Sequence, residues 1–165
     1  MPFNIRREYL FRKQTGKIRL PAYLKELNSI LDTTKGSYKI LSLEESDTIL
    51  EKSKALTNKG LFKKNKCKFQ EKNDYLKKCL VKCSGLLPMK AYVYVDYSKD
   101  CGLALIDSLL MIETNFGFSA EHAGYIVIIS EDMKNKIVLD CFEENNEYLI
   151  EFELLGEKWG TIDLT

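Results

Sequence analysis

Residues 124–154, GYIVIISEDMKNKIVLDCFEENNEYLIEFEL, decide the fold, because they read as three β-strands joined by two short polar turns. In residues 124–130, Tyr125, Val127 and Ile129 alternate with Ile126 and Ile128, so both faces are apolar and the strand belongs inside a sheet. Residues 136–142 repeat the pattern, with Ile137, Leu139 and Cys141 against Val138 and Phe142, and only Asp140 interrupts it. That carboxylate is expected near an edge or surface. Residues 147–154 place Tyr148, Ile150, Phe152 and Leu154 on one side and Glu147, Leu149, Glu151 and Glu153 on the other. The Asn and acidic residues of 131–135 and 143–146 suit hairpin connections, so an antiparallel meander is predicted.

The remaining chain is read outward from this meander. Residues 91–97, AYVYVDY, alternate tyrosines with valines and predict a strand whose valine face packs. Residues 98–100 form a tight connection to a second strand over 101–106, followed by a short helix or irregular segment over 107–118. Earlier in the chain, Tyr23, Leu24, Leu27, Ile30 and Leu31 recur at helical spacing and predict a helix over 20–32, with Pro21 in its first turn. Before it lies a basic and aromatic segment, a short helix or an arm. A short strand is predicted over 37–43, and Ser42 with Glu45 forms a capping box opening a helix to about Asn58, which Gly60 ends. The lysine-rich run 59–72 reads as a surface loop. A third helix over 70–84 aligns Tyr75, Leu76, Cys79, Leu80 and Cys83, and Gly85 and Pro88 end it. The expected architecture is α+β: N-terminal helices packed on a mainly antiparallel sheet of about five strands, in one domain spanning residues 1–165.

Composition sets the class. The chain has 165 residues, 45% hydrophobic and 30% charged, and no apolar run near the roughly 20 residues needed to span a bilayer. The N-terminal segment lacks the features of a secretory signal, and five irregularly spaced cysteines suit a reducing compartment, so a cytoplasmic protein is expected. The net charge of +1 conceals a division. Residues 1–90 carry 21 basic and 9 acidic side chains, a balance of +12, and residues 91–165 carry 4 and 15, a balance of −11. Such halves attract each other within one fold, or present a two-signed surface to partners.

Catalytic readings find little to stand on. His122 is the single histidine, and it reaches Cys101 or Cys141 as a base only if the fold joins them. Cys79 and Cys83 are neighbours on one helix face but lack a second ligand pair, so buried apolar roles suit them better than metal or redox ones. No phosphate-binding glycine loop or nucleophile elbow occurs. No enzyme activity, cofactor, metal or small-molecule substrate is expected, and no membrane partner.

Four features together resemble a known group. They are Asp96-Tyr97 followed by Asp100-Cys101-Gly102; Ile129-Ser130-Glu131-Asp132; Leu139-Asp140 with Glu143-Glu144; and Gly156 before Trp159. Residues 91–160 thereby resemble the immunity proteins of bacterial polymorphic toxin systems, including contact-dependent growth inhibition. The resemblance implies a small cytosolic protein that binds a cognate toxin domain, often a nuclease, and blocks its active site without catalysis of its own. A nuclease must grip phosphates with a basic cleft, and acidic side chains complement such a cleft. Asp140, Glu143, Glu144, Glu147, Glu151 and Glu153 are the candidate partner-binding residues, and Tyr92, Tyr94 and Tyr148 the candidate aromatic anchors. Two alternatives stand behind this reading: a nucleic-acid-binding module using the basic half, notably Lys63, Lys64, Lys66 and Lys68, and a non-enzymatic adaptor between proteins.

Overall fold

The computed structural model describes residues 3–57, 62–117 and 124–163. Its centre is an antiparallel sheet of seven strands, in the spatial order β1 (Tyr38–Ile40), β4 (Ala104–Ile106), β3 (Ala91–Tyr94), β5 (Tyr125–Ser130), β6 (Asn135–Glu144), β7 (Glu147–Gly156) and β2 (Phe62–Lys68). The meander occupies the middle as β5 (Tyr125–Ser130), β6 (Asn135–Glu144) and β7 (Glu147–Gly156). Asn145 and Asn146, both at positive φ, form the two-residue turn between β6 and β7, a conformation asparagine tolerates and right-handed strand twist favours. At the other turn the Ser130 hydroxyl donates to Asp132 Oδ1, which also accepts from the Lys134 amide. Strand β3 (Ala91–Tyr94) pairs with β5 and buries Ala91 and Val93, with Val95 beyond it. A short helix α4 (Ser98–Cys101) leads to β4 (Ala104–Ile106).

The sheet therefore has seven strands where about five were expected, and the additional pairing comes from the basic half. Strand β1 (Tyr38–Ile40) closes one edge on β4, and β2 (Phe62–Lys68) closes the other on β7. The prediction of a surface loop here is corrected. A run of lysines has no apolar alternation, yet Lys64 and Lys66 lie opposite Glu153 and Glu151, and the strand forms against that neighbour. Lysine on an outer strand also discourages edge-to-edge aggregation.

Helices cover both faces. Helix α3 (Lys72–Leu86) and the C-terminal part of α1 (Phe3–Ile30) bury Leu76, Cys79, Leu80, Tyr23, Leu27 and Ile30 against Ile126, Ile128, Leu139 and Phe152. Helix α2 (Leu43–Lys54) packs Ile49 against Ile129, Val138 and Leu155 on the opposite face. Its start is the predicted capping box: the Glu45 amide donates to Ser42 Oγ at 3.2 Å and the Ser42 amide to Glu45 Oε2 at 2.9 Å. Gly60, its predicted stop, lies outside the described residues.

Helix α1 departs most from expectation. The basic segment and the predicted helix over 20–32 are one helix of 28 residues, and Pro21 sits inside it. Proline removes one amide donor and is ordinarily costly there, but contacts hold the helix on both sides of it. Arg12 donates to both carboxylate oxygens of Asp47 and to the Lys99 carbonyl, and the Tyr23 hydroxyl donates to the Gly102 carbonyl at 2.6 Å. Gly16 lets α1 approach α4 so closely that an added Cβ would fall on the Asp100 carbonyl oxygen. Glycine to alanine inside a helix ordinarily gains about 1 kcal/mol, whereas overpacking costs about 1–3 kcal/mol. Gly16→Ala is accordingly expected to lower the melting temperature. Gly85→Ala, where nothing lies within 4 Å of the new methyl, is expected to raise it. A melting temperature raised by Gly16→Ala, as by Gly85→Ala, would show that α1 does not rest on Asp100.

Candidate protein-binding face

Period-two geometry sorts the six acidic candidates. Asp140, Glu144, Glu147, Glu151 and Glu153 project from the face that carries α2, while Glu143 projects from the opposite face, opposite Tyr148. Along one row across the sheet lie Tyr125, Asp140, Glu151 and Lys66, each opposite the next. Beside it Phe142, Leu149 and Lys68 form a second row. Helix α2 takes the Ile129 and Val138 part of this face, and the Tyr125 row is left open: Tyr125 is 41% exposed, and Asp140, Phe142 and Glu151 are half-buried.

Most of these carboxylates already have cations. Lys64 pairs with Glu151 at 2.6 Å and Glu153 at 3.4 Å, Lys66 with Glu144 at 2.6 Å, and Lys68 with Glu147 at 3.0 Å. The two charge blocks of the sequence thus meet along β2 and β7. Such exposed pairs contribute about 0–1 kcal/mol each, so their main effect is to specify which strand β7 accepts. Asp140 differs. It has no hydrogen bond or ion pair among the described residues, and burial, then Glu151 and Glu153, push its carboxyl above the usual range. Lys64 acts on it from a distance but is engaged by the two glutamates. A raised folded-state pKa favours the native state at low pH, and this contribution is lost as pH rises through that pKa. At neutral pH the carboxylate is therefore a cost to the free protein, held in the interior strand β6 rather than at an edge.

The aromatic candidates separate as well. Tyr92 and Tyr94 pack against the α2 cluster, and Tyr148 is 50% exposed on the other face. The aromatic groups beside Asp140 are Tyr125 and Phe142, and Lys66 Nζ lies 4.9 Å from the Phe142 ring centre. Sequence reading assigned both to the interior. The start of β5 is where an apolar run emerges from cover, but period-two alternation alone cannot locate the limit of a covering helix.

The basic alternative changes shape. Lys64, Lys66 and Lys68 are engaged with glutamates, Lys63 is exposed on the other face, and Lys59 lies outside the described residues. Lys72, at the end of the same run, is buried, with Nζ over the rings of Phe69 at 4.1 Å and Phe116 at 4.9 Å; desolvation lowers its pKa.

The thiols are not poised for catalysis. Burial pushes Cys101 up to about 11 and Cys141 up to about 12, and a hydrogen bond with Cys79 together with burial pushes Cys83 up. Reactive thiols require the opposite shift. Cys79 and Cys83 are fully buried, as expected of core residues. His122 lies outside the described residues. Among the described residues, no cluster of three or more His, Cys, Asp or Glu side chains is arranged to hold a metal ion, and no helix is long and apolar enough to cross a membrane. Comparison of the chain with protein-family models, curated proteins and solved structures yields no match.

Proposed function

We propose that this protein is a non-catalytic inhibitor of the immunity class, which binds a cognate toxin domain with a basic cleft, a nuclease, and occludes its active site through the open part of the sheet. The observation that carries the reading is Asp140: a half-buried carboxylate with no ion pair of its own among the described residues, raised in pKa and flanked by Tyr125 and Phe142. A partner's arginine or lysine would supply the missing cation, and the aromatic side chains would exclude water around it. The carboxylates engaged by β2 lysines would act at the rim, where charge governs association rate more than lifetime.

The test is co-expression with a toxin domain encoded directly upstream of this gene, read as co-purification and as protection from growth arrest. Asp140→Asn is expected to leave the free protein as stable as wild type or more so at neutral pH, because it removes an uncompensated charge. It is expected to cost about 2–5 kcal/mol of binding, the usual penalty for stranding one member of a desolvated charge pair. Charge reversal at Glu143, which pairs with nothing among the described residues and lies on the other face, is expected to leave the complex intact. Full-affinity binding by folded Asp140→Asn protein would remove this face as the interface. Reversal of Glu151 or Glu153 is a poorer probe, because it also strands Lys64.

A further inference from the structure

Helix α1 carries five cations with no ion pair among the described residues, and its outward stripe mixes cations with large apolar side chains. At 3.6 residues per turn, Arg7, Leu10, Phe11, Lys17, Ile18 and Lys25 fall on one side, away from the side that seats Arg12, Gly16 and Tyr23. Ile18 is 81% exposed, Phe11 68% and Leu10 51%. Arg6 and Lys13 flank the stripe, and none of the five cations has an ion pair among the described residues, whereas Lys64, Lys66 and Lys68 all do. Glu8 is the one acidic residue in the sequence before Lys25, and it lies off the stripe.

We infer that α1 is an interfacial helix that docks flat on an anionic lipid surface, independently of the toxin-binding reading. Charge complementarity requires a polyanionic occupant, and the apolar side chains select among polyanions. Phosphates along a nucleic acid would pair with Arg7, Lys17 and Lys25 but offer nothing to Ile18 and Leu10. A bilayer boundary accepts both: the apolar groups enter the acyl boundary while the basic heads remain among the headgroups. The helix is about 42 Å long at ~1.5 Å per residue, and a membrane presents the same chemistry along its whole length. The expectation of no membrane partner rested on the lack of a spanning segment, which this mode of binding does not use.

The experiment is co-sedimentation of the full chain with vesicles of phosphatidylcholine alone and of phosphatidylcholine mixed with phosphatidylserine, at low and physiological salt. Binding is expected only to the anionic vesicles and to weaken with salt. Arg7→Gln, Lys17→Gln and Lys25→Gln combined should weaken it about 100-fold. Phe11→Ser with Ile18→Ser should weaken it about tenfold or more, with melting unchanged because these side chains are exposed. Duplex DNA and gel filtration provide the other arms. The inference is overturned if the protein ignores anionic vesicles, if vesicle binding is indifferent to Phe11 and Ile18, or if the stripe instead mediates DNA binding or self-association.

Discussion

Truncation of Trp159 to alanine is expected to remove about 3–5 kcal/mol of stability, enough to bring a domain of ordinary stability, about 5–15 kcal/mol, close to unfolding. Trp159 is fully buried in the core that α1 and α3 form on the sheet. It arrives there because β7 ends at Gly156, where φ is 108° and an added Cβ would fall on the Lys134 carbonyl oxygen. The turn that follows is fixed by Asn135, whose Oδ1 accepts from the amides of Lys158 at 2.9 Å and Trp159 at 3.0 Å. Backbone and ring are thus positioned together, so little relaxation can fill the cavity. One detail sharpens the test: the indole N–H is buried with no hydrogen-bond partner among the described residues. Trp159→Phe deletes this unsatisfied donor while keeping an aromatic ring, and relief of an orphaned polar group, about 1–3 kcal/mol, offsets part of the lost volume. Phenylalanine is therefore expected to cost much less than alanine. Urea denaturation of both variants checks this, and equal midpoints would mean that the ring does not fill the core.

What the sequence conceals here is non-local. The meander was legible because period-two alternation is a local property, and each of β5, β6 and β7 carries it in its own residues. The capping box was legible for the same reason, since Ser42 and Glu45 need only each other. Strand β2 was not, because its lysines become a strand only opposite the glutamates of β7, more than 80 residues away. The opposed charge blocks showed that the halves attract, but not where they meet. Pro21 concealed the length of α1: a proline at the head of a periodic segment reads as a first turn, and the contacts that let the helix run through it come from Asp47, Lys99 and Gly102 on other elements. At the candidate face, Asp140 was visible as the single break in an apolar strand. Its lack of a cation was not visible, because that depends on which carboxylates Lys64 reaches first. Nor was the exposure of Tyr125, which depends on where α2 stops covering the sheet.

Gly102→Ala is expected to cost roughly 2–6 kcal/mol, combining strain of about 1–3 kcal/mol in a backbone region that glycine alone adopts freely with about 1–3 kcal/mol for overpacking. The residue has φ 94° and ψ 168°, and an added Cβ would fall on the Leu41 carbonyl oxygen. Neither neighbour can yield independently. The Leu41 amide donates to the Leu103 carbonyl at 2.9 Å, the Leu103 amide donates to Ser46 Oγ at 2.9 Å, and the Gly102 amide donates to the Ser98 carbonyl at 2.9 Å. Tyr23 of α1 closes the junction through its hydroxyl on the Gly102 carbonyl, and burial pushes the pKa of that hydroxyl up, so it remains a donor well into the alkaline range. One methyl group would therefore press on the end of β1, the start of α2, α4 and α1 together. Tyr23→Phe provides the calibration: it removes the hydroxyl that donates to the Gly102 carbonyl and accepts from Ser98 Oγ at 3.4 Å, and is expected to cost about 0.5–1.5 kcal/mol for each hydrogen bond lost. The measurement is the urea midpoint of each variant, with unchanged slope as the condition for comparing them. If Gly102→Ala unfolds at the same midpoint as Tyr23→Phe, the four elements are not joined at Gly102, and α1 is held instead by its other contacts, Arg12 with Asp47, Arg19 with Asp100, and Gly16 against the Asp100 backbone.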